Sequence, residues 1–175
     1  MKLIKLFILC AALTGAPVFT GCQKTAAPPA AGSATDLQLP TQAQPKLPTL
    51  KIYLGAETLD TELALTPLQE ETGMMYRTNI LETDSMLFVL PYPQQASFWM
   101  TNCPVSLSAA YITPDGIIAE IHHFEKNDAT PVYSATNNIQ FVIETSDGWF
   151  VRHHVNPGMV VLTERGTLAA TFLRH

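Results

Sequence analysis

Charged side chains are scarce in this chain of 175 residues: 10 Lys and Arg and 15 Asp and Glu make up 14% of it, against about 25% in an ordinary globular protein. Two of the ten cations, Lys2 and Lys5, stand at the extreme N-terminus; residues 22–175 carry 8 basic and 15 acidic side chains, a net charge of −7. A phosphate-tracking surface needs clustered Lys and Arg to displace counterions. No such cluster exists, so a nucleic-acid partner is disfavoured. Cysteine is equally sparse, at Cys10, Cys22 and Cys103, which leaves no internal disulfide framework once the first two are accounted for below. Long hydrophobic runs are missing too. The longest at the N-terminus, residues 6–13, is well short of the roughly 20 residues that a transmembrane helix needs.

What is present begins with an address. Residues 1–21 order two lysines, a short apolar run and small or turn-forming residues as in a secretory signal peptide. The segment closes on Phe19-Thr20-Gly21-Cys22, which resembles the lipobox of bacterial lipoproteins, although Phe19 stands where Leu is usual. The resemblance implies cleavage before Cys22 and lipidation of Cys22, and more than one acyl chain gives a stable anchor. Gln23-Lys24 follow without an Asp; by resemblance to the known sorting signal this points to the periplasmic face of the outer membrane. Cys103 is then the sole thiol of the mature chain, and a lone thiol is ordinarily a small buried hydrophobe.

Residues 22–49 hold the lipidated cysteine and a stretch with Pro28, Pro29, Pro40, Pro45 and Pro48 among Ala, Gln and Thr. No hydrophobic period survives there, so the segment reads as a disordered linker, with a reach of about 30 Å if it behaves as a flexible coil. Residues 50–175 form the single folded domain. Short apolar runs at 50–54, 58–64, 86–90, 97–101, 107–112, 117–124, 139–144 and 159–163 are separated by Gly, Pro, Asn and Asp, the spacing of a sandwich or barrel. Thr113-Pro114-Asp115-Gly116 predicts a hairpin turn. Thr66, Pro67 and Gln69 predict a capped helix that Gly73 stops, and residues 148–154 a second helical turn. The expected fold is mainly β, a compact antiparallel barrel or sandwich with one or two short helices.

Gly73-Met74-Met75-Tyr76-Arg77, Ser85-Met86-Leu87-Phe88-Val89, Phe98-Trp99-Met100-Thr101-Asn102, Thr113-Pro114-Asp115-Gly116 and Val142-Ile143-Glu144 follow in that order. Together they resemble the bacterial and archaeal family known as domain of unknown function 192, over about residues 57–162. The resemblance implies a compact β barrel or sandwich and no settled activity. Members commonly carry Met-Lys-Asn-Thr where this chain has Met100-Thr101-Asn102-Cys103, Pro-Leu-Asp where it has Ser106-Leu107-Ser108, and Gly-Asp where it has Gly158-Met159. Two carboxylates and a lysine typical of the family are thus missing.

Four side chains are the ligand-binding candidates. Arg77 offers forked donors that suit a carboxylate or phosphate ligand, or a pairing with Glu144; the plainer role is a cation near a helix C-terminus. On a strand, Phe98 and Met100 would share one face and Trp99 the other. Core packing is their plainer role, with Trp99 the best placed for a ligand platform. Asn102 suits a turn or a substrate amide. Glu144 ends an apolar strand, where an ionised group needs a partner, as a structural ion pair or as a catalyst.

His122-His123 and His153-His154 lack the spacing of a metal motif, so no metal and no cofactor is expected. Glu82 and Asp84 read as solvated, and Gly-x-Ser-x-Gly is absent. No catalytic residue is assigned. The leading expectation is a lipid-anchored envelope protein acting as a binding module for a small molecule or an envelope protein, with Arg77 beside Trp99. The alternatives are a small envelope hydrolase using a carboxylate or histidine, and a structural lipoprotein without a ligand. The Cys22→Ser variant tests the anchor: wild-type protein should stay with membranes through a high-salt wash, and the variant should be released.

Overall fold

The computed structural model describes residues 39–173. The signal peptide, Cys22 and most of the Pro/Ala/Gln segment therefore lie outside the described residues. Strands β1 (Thr49–Leu54) and β2 (Glu57–Ala64) form a hairpin. It turns at Gly55, whose φ of 66° and whose 2.7 Å spacing from the Met159 methyl to a would-be Cβ leave room for glycine alone. Helix α1 (Pro67–Thr72) starts as expected: Thr66 Oγ1 accepts from Gln69 N–H at 3.3 Å, and Gln69 Oε1 accepts from Thr66 N–H at 3.1 Å. Then come β3 (Ser85–Gln94), β4 (Ser97–Phe98), β5 (Leu107–Ile112), β6 (Ile118–Phe124), β7 (Val132–Tyr133) and β8 (Ile139–Ser146), followed by α2 (Trp149–Arg152), β9 (Val161–Thr163), β10 (Gly166–Thr167) and α3 (Leu168–Phe172).

Eight strands make one sheet in the order β10-β9-β1-β2-β3-β8-β5-β6, and β4 pairs with β7 in a separate ribbon. The pairing is antiparallel except for β2 with β3, which run parallel. The exception to the antiparallel expectation follows from the long excursion through α1, which carries the chain back before β3 begins. Ile117 bridges Val160, Ile118 N–H donates to Met159 C=O at 2.9 Å, and Val161 N–H donates to Gly116 C=O at 2.8 Å. These bonds bring the β6 edge round to β9 and curl the sheet into a partly closed barrel. The mainly β barrel read from the strand spacing is the observed fold.

Curling produces two cores. Leu50, Ile52, Leu87, Phe141, Ile143, Trp149 and Val161 fill the inside of the curl. Met74, Met75, Met86, Phe88, Met100, Cys103, Tyr111 and Val142 pack on its outer face. All residues of β5 and β8 are consequently buried, which is why these strands read as continuous apolar runs and not as alternations. Burial of each large side chain contributes roughly 1.5–3 kcal/mol. No helix among the described residues is long and apolar enough to cross a membrane.

Two expectations need correction. The run 97–101 is a strand only at Ser97–Phe98, because Met100 N–H leaves the ribbon to bond Asp128 C=O at 2.8 Å. The supposed linker docks at its C-terminal end: Tyr76 O–H donates to Pro40 C=O at 2.9 Å, Gln44 Nε2 to Gly73 C=O at 2.9 Å, and Leu63 N–H to Pro48 C=O at 3.0 Å. Proline-rich chain lacks a hydrophobic period but still offers carbonyls, and those carbonyls are what the domain binds.

Opposite this strap, a polar network ties α2 to the loop before β3. The Glu82 carboxylate accepts from Arg152 Nη2 at 2.7 Å, Arg152 Nε at 3.0 Å and Ser146 Oγ at 3.0 Å, and pairs with His153 Nε2 at 2.9 Å. His153 Nδ1 faces Glu57 at 3.2 Å, and its ring stacks on Trp149 with centroids 4.3 Å apart. The Arg152 hydrogen bonds hold the Glu82 carboxyl down to about 2. A depressed carboxyl stabilises the fold above its unfolded value and loses that contribution as pH falls through its folded value. Both partners are half exposed, so Glu82→Gln should lower stability at pH 7 by about 0.2–1 kcal/mol. The deficit should vanish near pH 2 in thermal denaturation followed across pH.

Candidate functional site

The outer face of the sheet carries a row of residues fixed by strand register: Glu62 on β2 lies beside Met86 on β3, Met86 beside Glu144 on β8, and Glu144 beside Ala109 on β5. Neighbouring positions of one row present their side chains to one face. This face is roofed by the chain after α1 and by residues 99–105, so the two carboxylates of the row are both removed from water.

Arg77 meets one of them. Its Nη1 and Nη2 donate to Glu62 Oε1 and Oε2 at 2.7 and 2.9 Å, and Leu47 N–H adds a bond to Oε2 at 2.8 Å. The side chains are 14% and 3% exposed. Burial pushes the Glu62 carboxyl upward, but the Arg77 and Leu47 donors outweigh it and hold the group below its ordinary value. The pairing expected between Arg77 and Glu144 is therefore replaced by a forked pair with Glu62.

Glu144 stays alone. The residue is 4% exposed, and no hydrogen bond or ion pair reaches its carboxyl among the described residues. Burial drives it up to about 8, with the Arg77 charge offsetting part of the shift. It is thus a neutral acid at pH 7. Cys103, buried on the same face, is pushed up to about 12 by burial and then by the Glu144 charge, so it is a thiol and not a nucleophilic thiolate. Tyr111 is shifted upward for the same reasons, and its O–H donates to Val132 C=O at 2.7 Å.

Above Glu144 the two roofing segments are joined at their most unusual backbone positions. Tyr76 and Asn102 are non-glycine residues with φ of 62° and 60°, and Tyr76 N–H donates to Asn102 C=O at 2.7 Å. Asn tolerates the left-handed region; for Tyr it costs about 1–2 kcal/mol, a strain that concentrates at functional positions. Asn102 does organise the turn, through its backbone and not its amide. Trp99 departs from the core role: it is 45% exposed, while Phe98 and Met100 on either side pack inward. No cation–π or ring contact joins Trp99 to Arg77 among the described residues. Arg77, Asn102 and Glu144 are brought to one face, and Trp99 is left at the surface.

A cleft of about 480 Å³ opens beside Glu62, lined by Lys46, Thr49, Asp60, Glu62, Thr83, Asp84 and Ser85. The histidine pairs do not converge. His122 pairs with Glu120, His123 with Asp147 and Glu125, and His153 with Glu57 and Glu82. No group of three His, Cys, Asp or Glu able to hold a metal occurs among the described residues.

Glu62 and Tyr76 escaped the sequence reading. Glu62 shares the alternation of Asp60 and Ala64, which marked it as facing water; the roof over that face is a tertiary feature. The Gly-Met-Met-Tyr-Arg segment was the available signal for Tyr76.

The family model for DUF192, described as "Uncharacterized ACR", matches residues 50–163. The chain belongs to the DUF192 family. Among solved structures it is similar to a protein of unknown function from Novosphingobium aromaticivorans DSM 12444, at 26% identity and a TM-score of 0.60, covering 65% of this chain and 82% of that one. It is likewise similar to a putative transcription regulator from Sinorhizobium meliloti 1021, at 27% identity and a TM-score of 0.61, covering 65% of this chain and 91% of that one. No curated protein matches the sequence.

A raised carboxyl destabilises the fold as pH rises from its unfolded value, near 4.5, to its folded value, near 8. Glu144→Gln removes that slope. At pH 9 the variant should be more stable than wild type by about 1–3 kcal/mol, with the gap closing below pH 5, as read from urea denaturation at each pH.

Proposed function

We propose that this DUF192 protein is a lipid-anchored protein of the cell envelope, held through Cys22 at the periplasmic face of the outer membrane. Its β domain is a binding module for a small polar ligand. The recognition site is the outer sheet face at Glu144, with the Arg77–Glu62 pair on one side and Asn102 above.

The observation that carries this reading is the unpartnered carboxyl of Glu144. Burying such a group without a hydrogen bond costs about 1–3 kcal/mol, and a ligand that bonds to it recovers that cost on binding. The strained junction of Tyr76 with Asn102 supports the reading as well, since a small rearrangement there would open the face. A neutral acid donates to a carbonyl or phosphoryl oxygen; the free amide of Asn102 complements it by offering both a donor and an acceptor.

A second reading, the envelope hydrolase, has one observation in its favour: a carboxyl raised to about 8 is what a general acid requires at neutral pH. Against it, the neighbouring Cys103 is held as a thiol, and no base stands beside it among the described residues.

A thermal-shift screen of small polar metabolites on the detergent-solubilised full chain separates these readings. Ligands that raise Tm in the wild type should lose most of the shift in Glu144→Gln while circular dichroism stays unchanged. Turnover of a hit, abolished by the same substitution, would favour the hydrolase. A screen without hits would leave a structural lipoprotein.

A further inference from the structure

Sulfur is concentrated on the face that holds Glu144. Of the six methionines in the chain, Met74, Met75, Met86 and Met100 are buried in one cluster together with the Cys103 thiol. Met159 packs instead against the other core. Methionine is an ordinary gap-filler, but here four thioethers and a thiol share a face with a buried carboxyl that has no partner. Met86 is the register neighbour of Glu144. Cys103 N–H donates to Met100 C=O at 3.0 Å, which closes a turn that places both residues on the roof over this row.

We propose that this face is a site for a monovalent soft metal ion, Cu(I), with Cys103 Sγ and the thioethers of Met86 and Met100 as ligands and Glu144 beside them. The proposal rests on the reading of the Glu144 face as a binding site and names the ligand class. Donor chemistry selects the metal: thiolate and thioether donors favour Cu(I). The groupings of His, Cys, Asp and Glu that hold zinc or harder cations are missing among the described residues. Charge selects the valence. Burial keeps both acids of the face protonated, so the empty face is neutral. On binding, the Cys103 S–H bond breaks, its proton passes to solvent and a sulfur–copper bond forms. Copper remains in the +1 state throughout, and the face remains neutral. A divalent ion would leave a net charge in a region where charge is costly.

The test uses the full chain in detergent with Cys10→Ser and Cys22→Ser, so that Cys103 is its sole thiol. With methyl-labelled methionine, Ag(I) serves as a diamagnetic probe of the same softness. One equivalent should shift the Met86 and Met100 methyl resonances, assigned through Met→Leu variants, and leave Met159 in place. Under anaerobic, reducing conditions, competition with a chromogenic Cu(I) chelator should show one ion bound per chain. Cys103→Ser, and Met86→Leu with Met100→Leu, should each weaken binding about ten-fold or more while the β circular-dichroism spectrum is kept. Unmoved Met86 and Met100 methyls, a Met159 shift as large as theirs, or undiminished Cu(I) affinity in a folded Cys103→Ser protein would each overturn the metal assignment. A screening hit that Glu144→Gln abolishes, found alongside unmoved methyls, would sink the metal and spare the binding site; if no such hit exists either, both readings fall.

Discussion

Two carboxylates lie in one row across the outer face of a curled sheet, and one guanidinium serves them. Arg77 commits both arms of its fork to Glu62, and the chain after α1 is thereby pinned over the face. A buried pair of this kind is a weak source of net stability, because desolvation offsets much of the attraction, but removing one partner strands the other charge. The pair therefore acts chiefly as a positional lock. With Arg77 spent on Glu62, the remaining carboxyl keeps its proton and becomes a neutral donor in an apolar setting. A single geometric choice thus sets the protonation of Glu144, of Cys103 and of Tyr111.

The roof over that row is assembled from segments distant in sequence. Residues 74–77 and 100–103 meet through the bond from Tyr76 to Asn102, and the strap at Pro40 and Gln44 holds the first of them from outside. Regular elements supply the floor, and irregular chain supplies the cover. That division suits a recognition site, since a rigid sheet fixes the acid while loops can move to admit a ligand. The remaining polar network, around Glu82, Arg152 and His153, lies away from this face and anchors α2 to the loop that leads into β3.

Within the DUF192 family, the departures at Thr101 and Cys103 fall on the roofing loop, and Ser108 falls on β5 beside the row. Cys103 is buried and shares the outer cluster with four methionines. The chemistry of this face is accordingly local to the chain's own side chains and is not transferable from fold alone.

Strand content, the capped helix at Thr66–Gly73, the hairpin at Thr113–Gly116 and the mainly β class were legible in the order of residues, because each rests on neighbours within a few positions. The two-residue strands β4, β7 and β10 were not, since a ladder that short takes its stability from its partner and leaves no periodic trace. The pattern also misjudged Glu62 and Trp99. Alternation assigns a residue to one face or the other, but which face is covered depends on chain arriving from elsewhere: Glu62 points to a roofed side and Trp99 to an open one. Composition and spacing by themselves determined the fold class and the presence of Arg77, Asn102 and Glu144. Only the tertiary structure decided that Arg77 pairs with Glu62 and that Glu144 is left without a counter-ion, because charge partners are chosen by distance in space and the row that sets those distances exists only once β2, β3 and β8 lie side by side.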